Sequence, residues 1–162
     1  MIKTSGPLRF AHDEDGDFVL AEPWSIELPG DLLAVRSKED GVTIANVKGG
    51  TSLMMVSPGF RWDGASGPTA DPARWRVPPF VHDVLYRLLK YAAWGALPQA
   101  QHDATRKFAD DIMLALLLER LPMNPILRQI AKGRAWAWWS GVRIGAGYAA
   151  KPRPRPKIEE AA

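Results

Sequence analysis

The sequence predicts an α+β fold, in which a small antiparallel β region at the N-terminus is followed by an antiparallel helix pair and a C-terminal helix. Short β-type runs separated by Gly, Pro and Asp fill residues 1 to about 57, whereas apolar residues recur at helical spacing beyond Pro79. The 162 residues, 46% of them hydrophobic, are enough for one domain with a core. We therefore expect a single domain over residues 1–148 and a basic, Pro-rich, disordered tail over residues 149–162.

Four runs in the N-terminal region have the composition of strands: Phe18–Leu20, Trp24–Leu28, Val42–Val47 and Leu53–Val56. The acidic segment Asp13–Asp17 lacks the Glu that closes a calcium-binding loop, so it predicts a hairpin turn instead. Residues 58–79 are rich in Gly and Pro and predict a long loop. A loop of this length inside a compact domain is usually functional or disordered.

Three helices are predicted after this loop. The first runs from Phe80 to about Trp94, and Pro79 suits its start because its φ is fixed near the helical value. The second covers about Gln99 to Leu121, and the third runs from Pro125 to about Ile144. Since the link between the first two is short, they should pack antiparallel.

Composition excludes several kinds of site. The chain has no cysteine, so a disulfide framework, a thiolate metal site and a cysteine nucleophile are all excluded. The N-terminus lacks the apolar stretch of a signal peptide, and no run has the length of a membrane span. We expect the protein to be cytoplasmic when made, with the virion, or release at lysis, as further locations.

The first predicted helix carries a histidine and a phenol on one face, because His82 and Tyr86 are four residues apart. On an antiparallel second helix, Asp110 could reach both the imidazole and the Tyr86 hydroxyl. A carboxylate there would fix the tautomer of His82 and raise the basicity of its other nitrogen, as a general base requires. His82, Asp110 and Tyr86 are therefore the candidate catalytic residues.

A candidate metal site lies next to this group. Asp83 points about 100° away from His82 around the helix, so the two should serve different partners. We expect Asp83 to face the preceding loop and to meet Asp63 and the turn that follows it, with Gly64 and Ala65 as further ligands. Carboxylates and backbone carbonyls are hard oxygen ligands, which calcium prefers.

The motifs resemble two protein families. A DGAS turn at Asp63, then HDVLYR from His82, then FADDIM from Phe108 are similar to an uncharacterised, prophage-associated bacterial family, over roughly residues 5–145. No activity comes with that family. More distantly, Trp62 to Met113 resembles the active site of secreted bacterial phospholipase A2.

The phospholipase resemblance implies a calcium-dependent hydrolase of lipid or ester bonds. In this scheme His82 activates a water, Asp110 orients His82 and accepts a hydrogen bond from Tyr86, and Asp83 with Asp63 holds calcium. The chain departs from that family in having no disulfides, no signal peptide and a β-rich start. The alternative is a non-enzymatic phage tail or assembly protein, in which the same cluster is structural.

Charge separates the C-terminus from the body of the chain. Residues 1–131 carry 14 basic and 16 acidic side chains, whereas residues 132–162 carry seven basic and two acidic ones. Trp136, Trp138 and Trp139 lie among these basic residues, a composition typical of an interfacial helix on anionic lipid. Alternatively, the tryptophans cover the helical core, or Gly141, Gly145 and Gly147 allow close packing against a partner subunit. Nucleic-acid binding by the tail is disfavoured, because no aromatic residues are interleaved with its lysines and arginines.

Overall fold

The computed structural model describes residues 2–14, 16–47, 49–62, 75–91 and 93–149. Within them, seven strands precede three α-helices, which confirms the predicted α+β class. The strands are β1 (Phe10–His12), β2 (Phe18–Leu20), β3 (Trp24–Pro29), β4 (Val35–Ser37), β5 (Val42–Val47), β6 (Thr51–Val56) and β7 (Arg61–Trp62). The helices are α1 (Val77–Tyr91), α2 (Gln99–Glu119) and α3 (Pro125–Ala149), with a 3-10 turn at Ala93–Ala96.

Strands β3 to β6 form one antiparallel sheet in the order β3-β6-β5-β4. Its buried face follows from residue alternation along each strand, since Ile26 pairs with Met54 and Met54 also pairs with Ile44. All three side chains are at most 1% exposed. This row of apolar residues forms the part of the core that faces the helices.

Strands β1, β2 and β7 form a second, three-stranded antiparallel sheet. The turn between β1 and β2 is the predicted hairpin at Asp13–Asp17, where the Asp17 amide donates to the Asp13 side chain at 2.9 Å. Gly16 has φ +88°, a conformation that glycine adopts without strain. The short strands β1, β4 and β7 were not predicted from the sequence.

Helices α1 and α2 pack against each other across the short connection, as predicted. Helix α1 begins three residues earlier than expected, with both Pro78 and Pro79 in its first turn, where no amide donor is needed. Its face toward the sheets carries Phe80, whose ring meets those of Phe10, Trp24, Phe60 and Trp62 at centroid distances of 5.4–5.6 Å. This aromatic cluster fixes α1, and therefore His82, relative to both sheets.

Helix α3 packs on α2 through a second apolar cluster, in which Ala131 and Ala135 are buried and Trp138, Trp139 and Val142 are partly buried. Asn124 caps the start of the helix, because its side-chain oxygen accepts from the amides of Ile126 and Leu127. In the described part of the chain, no helix combines the length and apolar character needed to span a membrane. The tail from residue 150 onward lies outside the described residues.

Candidate functional site

A buried carboxylate organises the polar cluster between the helices. Asp110 on α2 has no exposed surface. Its Oδ1 lies 3.1 Å from His82 Nε2 and accepts a hydrogen bond from the Tyr86 hydroxyl at 2.7 Å. Its Oδ2 accepts a hydrogen bond from an Arg143 guanidinium nitrogen at 2.8 Å. Three donors on two other helices therefore satisfy a group that would otherwise be costly to bury.

The helical register brings His82 and Tyr86 to Asp110, as the sequence predicted. The two side chains lie one turn apart on the same face of α1, and their ring centroids are 4.1 Å apart. Antiparallel packing of α2 then places Asp110 opposite this pair. The expectation that one aspartate reaches both the imidazole and the phenol is confirmed.

The position predicted for Asp83 is wrong in one respect, because its carboxylate contacts the neighbouring His82 instead of facing away. Asp83 Oδ1 lies 3.1 Å from His82 Nδ1, and Oδ2 accepts a hydrogen bond from the Trp62 indole at 2.7 Å. Nδ1 is the ring nitrogen nearer the main chain, so a short neighbouring side chain can reach it despite the angle between them. The Asp83 side chain is 36% exposed, so this edge of the ring faces the surface.

These contacts define the charge state of His82. Ionised carboxylates only accept hydrogen bonds, so both ring nitrogens must carry a proton to bond Asp83 and Asp110 at once. Burial by itself lowers the pKa of His82, but the hydrogen bonds to Asp110 and Asp83 outweigh it and hold the pKa above the ordinary value of 6.5. In this arrangement, with both carboxylates ionised, His82 is an imidazolium.

The partners of His82 keep complementary charges. Burial would raise the pKa of Asp110, yet the hydrogen bonds from His82, Tyr86 and Arg143 dominate and lower it, so Asp110 stays ionised. Burial and the hydrogen bond to Asp110 raise the pKa of Tyr86, which remains a neutral donor. Two carboxylates thus balance one imidazolium and one guanidinium.

Among the four predicted metal ligands, Asp83 is the one that lies in the described part of the chain. Asp63, Gly64 and Ala65 fall in residues 63–74, outside it. In the remaining residues no group of three or more acidic or histidine side chains is arranged to hold a metal. Asp83 itself fits a hard cation, because it is a partly exposed carboxylate, but a cation on Oδ1 would compete with His82 Nδ1.

Sequence reasoning missed Arg143 and Trp62. Arg143 was grouped with the basic residues of the C-terminal helix, and nothing in its local sequence distinguishes it from Arg134 or Lys132. A general signal did exist, since a buried aspartate with two neutral or weakly basic partners calls for a cation. Trp62 precedes the DGAS turn directly, so its proximity to the site was readable, although its hydrogen bond to Asp83 was not.

A scan of family models and searches of curated proteins and solved structures found no match to this chain. The two family resemblances therefore stay predictions.

Proposed function

We propose that the protein is a metal-dependent hydrolase of lipid or ester bonds, with calcium as the metal and His82 as the residue that activates water. The observation that carries the proposal is the asymmetry of the His82 ring. Nε2 points to Asp110, which is fully buried, whereas Nδ1 points to Asp83, whose side chain is 36% exposed. A base needs one nitrogen anchored inside and the other facing the reactant, which is how this ring is placed.

The chain's own residues would act as follows. Asp83 first withdraws from Nδ1, and the ring loses the Nδ1 proton to solvent. Nδ1 then accepts a proton from a water as the water oxygen attacks the ester carbonyl, and the resulting imidazolium remains bonded to Asp110 through Nε2. Tyr86 and Arg143 hold Asp110 in place throughout, because each occupies a carboxylate oxygen. No covalent intermediate is needed.

Asp83 would hold the calcium ion together with Asp63 and the turn after it. When bound, the ion would polarise the ester carbonyl and stabilise the negative charge that develops on its oxygen. A cation bound to Asp83 would also compete with His82 Nδ1 for that carboxylate, and so would favour the withdrawal of Asp83 from the ring. The calcium proposal rests on the ligand chemistry of Asp83 and on the DGAS resemblance.

The test compares two histidines with similar burial. His82 is 7% and His102 is 6% exposed, and His102 lies outside the cluster. The purified protein is given phosphatidylcholine vesicles containing phosphatidylglycerol, and a soluble short-chain ester, with calcium or with a chelator. We expect calcium-dependent release of acid that His82→Gln reduces by at least about a hundredfold, the contribution of a general base. His102→Gln should retain the activity of the parent.

Two outcomes would overturn the hydrolase proposal. One is the absence of calcium-dependent release from either substrate by the parent protein. The other is an equal loss in both histidine variants, which would mean that the effect comes from misfolding. A thermal melt of each variant, run beside the assay, separates a loss of activity from a loss of fold.

A non-enzymatic role is the second candidate function, and the hydrogen bonds of His82 favour it. Both ring nitrogens of His82 bond carboxylates, and the ring is almost fully buried, which is also how a structural ion pair is built. On this alternative, the protein is a non-enzymatic phage tail or assembly component. It predicts that His82→Gln lowers the melting temperature sharply and that there is no hydrolysis to lose.

A further inference from the structure

Large apolar side chains are exposed mostly on one segment of the molecule. In the described part of the chain, six of the nine that are exposed lie in the segment 123–144: Met123, Ile126, Leu127, Ile130, Trp136 and Ile144. Met123 is 92% and Ile144 87% exposed. Soluble surfaces tolerate scattered apolar residues, but a contiguous group of this kind marks an interaction surface.

The helical register turns part of this group into a line. At about 100° per residue, Ile126, Ile130, Ala137 and Ile144 lie within about 40° of one another, on a stripe about 27 Å long. All four are exposed. Ala131 and Ala135, which pack on α2, lie on the other side of the helix. Helix α3 is thus apolar on two faces, and α2 covers one of them. We call the exposed one the outer face.

Every charge on this helix is positive. Pro125–Ala149 contains Arg128, Lys132, Arg134 and Arg143 and no acidic residue. Four further basic residues, Lys151, Arg153, Arg155 and Lys157, follow directly in the sequence. Arg143 bonds Asp110. Arg134 is exposed at about 40–80° from the members of the stripe, whereas Arg128 and Lys132 are exposed on other sides of the helix. An exposed apolar stripe on a helix whose charges are all positive is complementary to the acyl and headgroup regions of an anionic bilayer.

We propose that the outer face of α3 docks the protein on the surface of anionic lipid membranes. The helix lies in the plane of the interface, its isoleucines and Leu127 enter the acyl boundary, and Arg134 contacts lipid phosphates. Arg128 and Lys132 add attraction to the anionic surface over a longer distance. A second copy fits less well, because two such faces would bring only positive charges together. Nucleic acid fits less well too, since phosphate contacts leave the apolar stripe exposed. The inference stands whether or not His82 is catalytic.

The experiment uses pairs of substitutions that match in residue type and exposure. Leu127 and Leu33 are both 54% exposed, but Leu33 lies in the β region. Lys132 and Lys38 are both exposed, and Lys38 also lies in the β region. The full chain and the variants Leu127→Ser, Leu33→Ser, Lys132→Glu and Lys38→Glu are sedimented with vesicles. The vesicles are phosphatidylcholine alone or mixed with phosphatidylglycerol, in a calcium chelator.

We expect binding to the mixed vesicles and much weaker binding to phosphatidylcholine alone. Leu127→Ser should weaken binding about tenfold, the effect of withholding most of one leucine from the apolar phase. Lys132→Glu should weaken it about as much, because it replaces a positive charge near the anionic surface with a negative one. Leu33→Ser and Lys38→Glu should leave the dissociation constant within about twofold of the parent, since both residues lie in the β region and not on α3.

The absence of cysteine allows a direct measurement of insertion. Ile126→Cys, labelled with a polarity-sensitive dye, should shift its emission to the blue on mixed vesicles, whereas a label at Leu33→Cys should not. The inference is overturned if the parent does not bind the mixed vesicles. It is also overturned if each matched pair loses affinity equally.

Dimerisation abolished by Leu127→Ser, without vesicle binding, would assign the outer face to a second copy. Binding to duplex DNA in place of vesicles would assign it to nucleic acid.

Discussion

The interior of the α1–α2 pair and the outer face of α3 depart from simple burial rules in opposite directions. Between α1 and α2, Asp110 and His82 are buried charges, and each has partners for its polar atoms. On α3, Ile126 and Ile144 are apolar and exposed. The first departure is compensated inside the chain by complementary charges. The second finds no compensation in the described residues, which is why it indicates an external partner.

The largest expected effect comes from removing the acceptor at the centre of the helix pair. Asp110→Ala leaves His82, Tyr86 and Arg143 without their shared partner, and two of these are charged. We expect the free energy of unfolding to fall by about 3–5 kcal/mol, the usual cost of breaking a buried ion pair. Urea denaturation followed by circular dichroism measures it.

The adjacent residue provides the control for this change. Asp111 pairs with Lys107 on the helix surface, and its side chain is 42% exposed. Because solvent screens such a pair, Asp111→Ala should change stability by less than about 1 kcal/mol. Comparable losses in the two variants would contradict the view that Asp110 is special to the interior.

The pH dependence of stability tests the charge state of His82. Its folded pKa lies above 6.5, so its contribution to stability is complete below pH 6.5 and is lost as pH rises through the folded pKa. The pH dependence from Asp110 has the opposite sign. Its folded pKa lies below 3.8, so its contribution to stability is complete above pH 3.8 and is lost as pH falls through the folded pKa. We therefore expect the ion pair to be strongest between about pH 4 and 6.5.

The measurement is the urea midpoint of the parent and of His82→Gln across pH 4 to 9. The difference between the two midpoints should shrink on the alkaline side. If hydrolysis occurs, its rate should rise over the same alkaline range, because the base must be deprotonated. A difference in midpoints that grows with pH would mean that His82 is buried as the neutral form.

A smaller effect is expected where the cluster reaches the surface. Trp62→Phe removes the indole donor to Asp83 but keeps an aromatic ring in the Phe80 cluster. We expect a loss of about 2 kcal/mol, because the lost hydrogen bond involves a charged acceptor. Trp94→Phe is the comparison, since Trp94 is also buried and its indole donates to a neutral carbonyl, that of Leu33, at 3.0 Å. Its loss should be about 1 kcal/mol smaller, and equal losses would show that ring size outweighs the charge on Asp83.

The fold class and much of the cluster were predictable, and the reason lies in periodicity. His82, Tyr86 and Asp110 follow from helical spacing and a short connection, which together set the register of two antiparallel helices. Arg143 was not predictable, because its contact with Asp110 depends on how a third helix crosses the other two. The turn of Asp83 onto His82 was missed for a different reason, since side-chain rotation over a few ångströms leaves no pattern in sequence.

The outer face of α3 was predictable in composition but not in placement. The tryptophans left two alternatives open, a lipid-facing helix and a cover over the helical core. Trp138 and Trp139 pack toward the second apolar cluster, whereas Trp136 is 45% exposed. The exposed apolar line consists instead of isoleucines, whose exposure depends on which face α2 covers. Periodicity gives the faces of a helix, and tertiary packing decides which face is buried.

The smallest expected effect tests whether a second copy of the chain packs on the outer face. Gly141 lies on α3, and a Cβ built there would meet no atom within 4 Å. Gly141→Ala should raise the free energy of unfolding by about 0.5–1 kcal/mol, because alanine favours the helix and nothing obstructs it. Gly59 also has open space around it but adopts φ +87°, so Gly59→Ala should lower stability. If Gly141→Ala instead destabilises the protein in a concentration-dependent way, a second copy packs closely on the outer face. The outer face would then be an interface between two copies of the chain, and not a membrane-binding surface.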